Sequence, residues 1–208
     1  DSSSTDKGGT RSHLFTKTVI DLSLNNYTSS ILEIDYQKTS NDNYLKVFNL
    51  ESPLLLQNND VLESVIKLDI EHEDYDLTTS FEMYETLNGS NTDRYQYVLP
   101  SYSFSKNFGA ENLGGSFNFN SYGDNTLSET NVTASTLLND LNFTSYSSFF
   151  NNGLKTNFEV QLKNINSIGK NSTKYKNSPQ SELMSAYNYN ISMPLLKKNE
   201  NSTNTLIP

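Results

Sequence analysis

The sequence contains no cysteine, only three alanines, few basic residues and no run of about 18 apolar residues. The missing cysteines exclude a disulfide framework, a thiolate nucleophile and a cysteine-ligated zinc site. The missing apolar run excludes a transmembrane helix. Fifteen Lys and Arg residues against 24 Asp and Glu residues give a net charge of −9. This charge argues against a general nucleic-acid binder, because such a protein needs a basic face.

Polar turn formers and aromatic residues dominate what is present: the 208 residues include 29 Asn, 29 Ser, 19 Thr, 13 Tyr and 11 Phe. Asn and Ser compete with helical backbone hydrogen bonds, whereas Tyr, Phe and Thr suit strands. The composition therefore predicts an all-β protein. Since no linker divides the chain, we expect residues 1–208 to form a single segment without a second domain, and residues 1–11 to be a loop or a disordered start.

Alternation of apolar and polar residues is the strongest signal in the sequence. Within residues 75–85, Leu77 and Phe81 share one face of a strand, because successive side chains point to opposite faces. The pattern predicts about eleven long strands, joined as antiparallel hairpins into an up-and-down meander. Similar rows occur in residues 14–24, 62–70, 116–120, 154–164 and 183–195. The last row also fits a helical step, but its Asn, Ser and Tyr content favours a strand.

Turns are predicted where Asn, Asp and Gly cluster, because these residues tolerate positive φ or form side-chain turns. Two such clusters are Gly123-Asp124-Asn125 and Asn139-Asp140. Pro100 lies inside a strand pattern and therefore indicates a bulge, a bend or an edge. Longer connections are expected at residues 87–93, 107–113, 169–179 and 197–205.

Strand length favours a membrane barrel over a soluble sandwich or solenoid. Alternation holds for 9 to 13 residues at a time, whereas strands of soluble proteins typically have 5–6 residues. A tilted strand needs roughly 9–11 residues to cross a bilayer. A barrel needs only one apolar face per strand, so a hydrophobic content of 34% suffices.

Aromatic residues at or near the expected strand ends are interpreted as anchors at the level of the lipid headgroups. They are Tyr27, Tyr36, Tyr75, Tyr84, Tyr95, Tyr97, Tyr122, Phe149, Phe150, Tyr187 and Tyr189. The expected strand number is odd, whereas single-chain bacterial barrels normally close with an even number. Residues 206–208 also look like the opening of another strand, so we expect a run of hairpins from a larger barrel.

One ordered set of short stretches carries a family resemblance. In residues 90–102, Asp93, Arg94, Tyr95, Tyr97 and Pro100 follow the pattern D-R-Y-x-Y-x-x-P. Shorter matches lie before this stretch, at residues 9–13 and 40–47, and after it, at residues 160–166, 193–195 and 206–208. All of them keep one order along the chain. Together these stretches resemble the lipopolysaccharide-assembly outer-membrane protein (LptD) family, in which the pattern opens a strand.

The resemblance implies a middle segment of a large barrel in the outer membrane of a Gram-negative bacterium. Proteins of this family receive lipopolysaccharide from a periplasmic transport bridge, hold the plug lipoprotein LptE inside the barrel, and release lipid through a lateral opening. That opening would lie outside this segment. The wall of such a barrel performs no enzymatic chemistry and needs no cofactor.

The two faces of the strands would then have different surroundings, with apolar rows against outer-membrane lipid and polar rows against the lumen. Polar side chains in the lumen would hydrogen-bond to sugars or water. The expected lipid-facing residues are Leu77, Phe81, Phe158, Val160 and Leu162. The expected lumen-facing residues are Asn118, Asn120, Lys155, Asn157, Glu159 and Gln161.

The sequence gives little evidence of a catalytic motif or a metal-binding motif. His72 lies within Glu71-His72-Glu73-Asp74, where a solvated turn is favoured over a metal site, because metal sites need convergent ligands. His13 has no obvious partner. Gly114-Gly115-Ser116 leads into a strand and is not a nucleophile elbow.

Lysines concentrate in residues 170–176, at Lys170, Lys174 and Lys176, and again at Lys197 and Lys198. A solvated loop is the simpler interpretation, and contact with anionic headgroups or lipopolysaccharide phosphates is the functional one. Two other functions stay open at this point. One is a passive porin-like channel, and the other is a secreted, Asn-rich β-structured adhesion protein.

Overall fold

The computed structural model describes residues 12–47, 60–88, 94–129, 131–193, 195–199 and 202–206, the last two ranges by backbone except for Leu195. These residues form twelve strands, one short helix and one 3₁₀ turn. The strands are β1 His13–Asp21, β2 Ser29–Thr39, β3 Val61–Glu71, β4 Tyr75–Thr86, β5 Tyr95–Ala110, β6 Gly115–Ser128, β7 Val132–Ser145, β8 Ser148–Phe149, β9 Lys155–Lys170, β10 Gln180–Ser192, β11 Leu195–Asn199 and β12 Ser202–Leu206. The helix α1 is Tyr44–Val47, and the 3₁₀ turn is Glu111–Leu113.

Ten of the strands form one open antiparallel sheet with the order β1-β2-β3-β4-β5-β6-β7-β9-β10, and the short strand β8 pairs with β9. Each strand on this path pairs with its neighbour in the chain, apart from the short detour through β8. Strands β11 and β12 form a separate two-stranded sheet. The predicted all-β, up-and-down meander is confirmed. The sheet is not closed, and β1 and β10 are its two edges.

The central strands are long. Strands β5 and β9 each have 16 residues, and β6 and β7 each have 14. At 3.3–3.4 Å per residue, a 16-residue strand extends about 50 Å. The hydrocarbon core of a bilayer is about 30 Å thick. Even a tilted strand of this length would therefore project beyond the hydrocarbon.

Two predicted turns are wrong, because strands run through both. Gly123-Asp124-Asn125 lies inside β6, and Asn139-Asp140 lies inside β7. The polar side chains that suggested turns find partners on neighbouring strands instead. Thr136 Oγ1 donates a hydrogen bond to Asp124, and Ser121 Oγ donates one to Asn139 Oδ1 over 2.8 Å. Cross-strand bonds of this kind satisfy side chains that would otherwise bond to their own backbone.

Several expected connections are also shorter than predicted. Residues 107–110 belong to β5, and the connection to β6 is the 3₁₀ turn followed by Gly114, whose φ of +63° suits glycine. The expected connection at 197–205 is instead most of the β11–β12 hairpin. The connection after β9 covers residues 171–179, close to the prediction. The predicted start at 1–11, most of the 87–93 connection, Asp93 and the strand opening after Leu206 lie outside the described residues.

Pro100 produces the irregularity that its position predicts. The register shifts between Val98 and Ser101 in the pairing of β5 with β6, and between Ser80 and Glu82 in its pairing with β4. The Leu99–Pro100 peptide bond is cis. A β-bulge accommodates proline in a strand that has partners on both sides, since proline donates no backbone hydrogen bond.

Very few apolar side chains are buried. Among the described residues they are Leu45, Leu62, Leu87 and Phe143. The first three form one cluster, in which the short helix α1 places Leu45 against the ends of β3 and β4. The described residues include no helix with the length and apolarity that crossing a membrane requires. The sheet therefore has no conventional core along most of its length.

Candidate functional site: the two faces of the sheet

The strand register separates the predicted residues onto two faces. Residues directly opposite each other in an antiparallel pair lie on the same face. Asn118 pairs with Asn142, and Asn142 with Gln161. We call the face that carries these residues the polar face. By strand alternation it also carries the other residues expected to face the lumen, which are Asn120, Lys155, Asn157 and Glu159.

The predicted apolar residues lie on the opposite side, here called the apolar face. Val160 pairs with Phe143 and Tyr187, and Leu162 pairs with Leu141. Phe158 lies on the same face, since it alternates with Glu159 in β9. In the first half of the sheet, this face carries the pairs Ile70–Leu77 and Ile66–Phe81. The two predicted groups therefore separate by face. The assignment of these faces to lipid and lumen stays a prediction.

The apolar face is exposed rather than packed. Among the large apolar side chains in strands of the ten-stranded sheet, thirteen exposed ones lie on this face, against four on the polar face, and Leu99 lies at the bulge. The most exposed are Leu183 and Tyr187 of the edge strand β10, each 73% accessible. The others on the apolar face are Leu14, Ile20, Tyr36, Ile66, Phe81, Phe108, Phe158, Leu162, Ile168, Tyr189 and Ile191. An exposed apolar surface that extends over several strands indicates contact with lipid or protein.

An aromatic row crosses the second half of the apolar face near one end of the strands. The ring centroids of Phe108 and Phe117 are 5.3 Å apart, those of Phe117 and Phe143 are 4.9 Å apart, and those of Phe143 and Phe158 are 5.4 Å apart. Each separation suits an offset or edge contact between rings. Tyr189, which pairs with Phe158, extends this row to the edge strand.

A second row, the transverse amide row, crosses the same face closer to the middle of the strands. Tyr102 Oη lies 3.0 Å from Ser121 Oγ, which donates to Asn139. Asn139 Nδ2 then donates to Asn164 Oδ1 over 3.5 Å, and Asn164 Nδ2 donates to Ser181 Oγ over 3.2 Å. The row joins five strands, from β5 to β10. Because these polar groups bond to one another, they are less costly on an apolar surface than isolated groups would be.

The polar face changes chemistry across the sheet. In the first half it carries ion pairs, Lys17–Glu33 at 2.5 Å and Lys67–Asp69 at 2.8 Å. In the second half it carries amides: Asn118 Nδ2 donates to Asn107 Oδ1, and Asn120 Nδ2 donates to Asn118 Oδ1. The second half therefore offers many neutral hydrogen-bonding groups beside the Lys163–Asp140 ion pair at 3.5 Å, whereas the first half is mainly acidic.

The family-like motif forms a charged cluster at the start of β5, which we call the Arg94 clamp. Arg94 binds the carboxylate of Asp42 with two nitrogens, at 2.8 and 2.5 Å, and its Nε donates to Glu85 over 2.8 Å. Glu85, only 1% exposed, also accepts hydrogen bonds from Lys38 and Tyr95. The clamp therefore holds the segment after β2 against the ends of β4 and β5.

The two-nitrogen contact of Arg94 with Asp42 shifts the pKa of both residues. The hydrogen bond from Arg94 holds the pKa of Asp42 below its usual value, and the same bond raises the pKa of Arg94. Each charged form is stabilised by its partner, because opposite charges within hydrogen-bond distance favour ionisation of both. The remaining motif residues, Tyr97 and Pro100, lie in β5 beyond the clamp.

The two histidines have aromatic surroundings. His72 lies in the β3–β4 turn, where its Nδ1 accepts the backbone N–H of Asp74 over 3.1 Å and its ring stacks on Tyr75 at 4.8 Å. His13 does have a partner, contrary to expectation, since its Nδ1 lies 3.4 Å from Tyr44 Oη. Within the described part of the chain, no cluster of three or more potential ligands could hold a metal ion.

The expected aromatic anchors are only partly at strand ends. Tyr75 and Tyr95 begin strands, and Tyr27 lies in the β1–β2 connection with its hydroxyl 3.0 Å from that of Tyr75. Tyr122 is an exception, because it lies within β6 on the polar face. Alternation in the sequence did not predict the aromatic row or the transverse amide row. Each depends on register between strands, which alternation within one strand does not reveal.

Comparison of the chain with protein-family models and with curated proteins finds no match.

Proposed function

We propose that this chain is a segment of the wall of an outer-membrane β-barrel that assembles lipopolysaccharide at the surface of a Gram-negative bacterium. The segment would act without enzymatic chemistry and without a cofactor. Its partners would be lipopolysaccharide, the surrounding lipid, the plug lipoprotein LptE and the periplasmic transport bridge. The family resemblance of residues 90–102 and the five shorter stretches supports the substrate and the partners.

One observation carries the membrane part of the proposal: the apolar face carries exposed large apolar side chains in β1–β5, β9 and β10. A soluble domain stabilises itself by burying such a surface, and the described residues bury only four apolar side chains. Lipid would cover the apolar face without a second protein layer. Strands of 11 to 16 residues between β2 and β9, apart from β8, suit that environment.

The polar face supports the transport part of the proposal. Lipopolysaccharide combines a large polar head with acyl chains, so its passage requires a wide, hydrated surface on one side of the wall. Asn118, Asn120 and Gln161 would supply neutral hydrogen-bonding groups for sugars or for water in the lumen. Binding and release would then depend on many weak contacts rather than on one catalytic centre.

Site-specific labelling of the full-length protein in membranes tests the orientation of the two faces. These 208 residues contain no cysteine, so in a full-length protein whose other cysteines are replaced by serine, Phe158→Cys and Glu159→Cys each introduce a single thiol, on adjacent residues of opposite faces. We expect a lipid-soluble reagent to modify the thiol at position 158 and a water-soluble reagent to modify the one at 159. Glu111→Cys, in the 3₁₀ turn, is the water-accessible control. Equal access of water to positions 158 and 159 would overturn the membrane assignment.

Depletion of the full-length protein separates lipopolysaccharide assembly from a passive channel. We expect surface lipopolysaccharide to fall and LptE to copurify with the protein. A porin-like channel would instead change the uptake of small solutes and leave surface lipopolysaccharide unchanged. A secreted adhesion protein would dissolve without detergent.

A further inference from the structure

A groove opens on the apolar face in the second half of the sheet. Its floor follows one register row, in which Tyr102, Gly123, Leu137, Asn166 and Ser181 lie opposite each other across five strands. The groove has a volume of about 440 Å³, and Pro100, Ile168 and Pro179 complete its apolar walls. This space is comparable to the volume of a single acyl chain.

Glycine shapes the floor of this groove. A Cβ at position 123 would lie 2.4 Å from Cε1 of Tyr102, so the tyrosine ring rests directly on the backbone of β6. Any residue with a Cβ at position 123 would displace the ring, so this arrangement requires glycine. The ring therefore forms a side of the groove rather than filling it.

One end of the groove leads to positive charge. Ile168 and Lys170 follow each other on the apolar face of β9, and Lys170 is the last residue of that strand. Two residues of a strand span about 7 Å, so the lysine lies within reach of the groove mouth. A second hollow of about 430 Å³, lined by Lys170 and Asn177, shares Ser135 and Ile168 with the groove.

The β9–β10 connection adds a second cation at this mouth. Its backbone folds back on β9, since Gly169 N donates to the carbonyl of Lys176 over 2.8 Å. Lys176 Nζ donates to Oε1 of Gln180, which lines the groove, over 3.4 Å. Lys174 is engaged elsewhere, with its Nζ 4.9 Å from the centroid of Tyr175. Residues 170–180 contain three lysines and no acidic residue, and the acidic residue that lines the groove, Asp124, accepts a hydrogen bond from Thr136.

We propose that this groove binds one anionic phospholipid, with an acyl chain along Leu137 and Ile168 and the phosphate at Lys170 and Lys176. On the apolar face of β9, Ile168 follows Lys170 directly and Asn166 comes after it, so a phosphate at the lysine would place the acyl chain against the apolar wall of the groove. A phosphate at the end of an apolar chain complements a basic mouth on an apolar groove. The proposal rests on the proposed membrane location of the apolar face and concerns a resident lipid of the wall rather than the transported lipopolysaccharide.

Tryptophan quenching in the full-length protein tests the site, because these 208 residues contain no tryptophan and any tryptophan elsewhere in the protein is replaced by phenylalanine. Ile168→Trp places one reporter at the groove, and the chain is reconstituted in phosphatidylcholine vesicles containing a small fraction of brominated phosphatidylglycerol or brominated phosphatidylcholine. We expect brominated phosphatidylglycerol to be enriched about fivefold over its bulk fraction, the attraction typical of one lysine at an anionic surface. Combining the reporter with Lys170→Gln and Lys176→Gln should abolish the preference.

Ile66→Trp is the matched control, because it lies on the same face in the first half of the sheet and is 50% exposed. It should be quenched equally by both lipids. Equal quenching at position 168, or the same preference at position 66, would overturn the proposal. Loss of the preference on adding inorganic phosphate would indicate a site for free phosphate instead of a lipid. Leu137→Trp is the second reporter and must report the same preference if the first variant does not fold.

Discussion

The two halves of the sheet share one architecture but differ in chemistry. Residues 1–110, which include β1–β5, contain 17 acidic and 8 basic residues, so the whole net charge of −9 belongs to them. Residues 111–208 contain seven of each sign and are neutral. Asparagine shows the opposite distribution, with 10 residues in the first part and 19 in the second.

The side-chain contacts between strands follow this division. The first half is joined by ion pairs and by the Arg94 clamp, which rests on the buried Leu45–Leu62–Leu87 cluster. The second half is joined by the aromatic row and by the two sets of amides. A β-ladder has the same backbone hydrogen bonds throughout, so cross-strand side-chain pairs are free to differ.

This difference has a consequence for transport in the proposed function. The first half of the polar face would repel the phosphates of lipopolysaccharide more strongly than the second half, where the acidic residues of the strands outnumber the lysines by only four to two. An anionic molecule moving along the polar face would therefore follow β6–β10. The comparison between the halves can be tested by removing the contacts particular to each.

The largest effect is expected from Arg94→Ala, in the charged half. The substitution leaves Glu85 buried with one cation instead of two and releases Asp42, which should lower the free energy of unfolding by about 4 kcal/mol. Urea unfolding in detergent micelles measures the change. Arg94→Lys should fall between the wild type and the alanine variant, because lysine keeps the charge but cannot form the bidentate fork. Lys67→Ala, at an exposed ion pair, should change stability by about 0.5 kcal/mol.

Phe143→Ala is the corresponding test of the neutral half. Phe143 is 7% exposed and touches the rings of Phe117 and Phe158, so truncation should lower the free energy of unfolding by about 3 kcal/mol. Phe158→Ala, at a ring that is 41% exposed, should cost about 1 kcal/mol in detergent. Equal losses in the two variants would show that the row is not held by packing.

A smaller effect is expected from Asn139→Ala, in the transverse amide row. The substitution removes the acceptor of Ser121 and the donor to Asn164, and we expect a loss of about 1 kcal/mol. Asn188→Ala, at an exposed position on the polar face of β10, should be neutral. A stabilised Asn139 variant would contradict a structural role for the row.

The smallest effect is a dependence on pH at Asp42. Its pKa is lowered in the folded state, so its contribution is present above the unfolded value of about 3.9 and is lost as the pH falls through the lower folded value. Amide hydrogen exchange of Val47, corrected for intrinsic rates, should show that the segment after β2 opens in acid. Asp42→Asn should already be open at neutral pH and should show no further change on acidification.

The sequence predicts strands better than it predicts their partners. Alternation placed β3 and β4 within one residue of their observed ends and β10 within three. It failed at Asp124 and Asn139, where turn formers continue a strand because a neighbouring strand supplies their hydrogen bonds. That partnership depends on register, which no single segment encodes.

The candidate surfaces also include features that the sequence predicts and features that it does not. Membership of a face follows from alternation alone, so Phe158 and Glu159 were correctly separated before the register was known. The groove and the Arg94 clamp could not be predicted, since each joins residues from strands or loops far apart in the chain. Asp42 and Arg94, for example, are 52 positions apart.

Strand direction alternates along the nine-strand path of the sheet, and this gives its two edges the same polarity. If β1 and β10 met directly, they would form a parallel pair in an otherwise antiparallel wall. A fully antiparallel barrel built on this sheet therefore requires an odd number of additional strands between the two edges, whichever polypeptide supplies them.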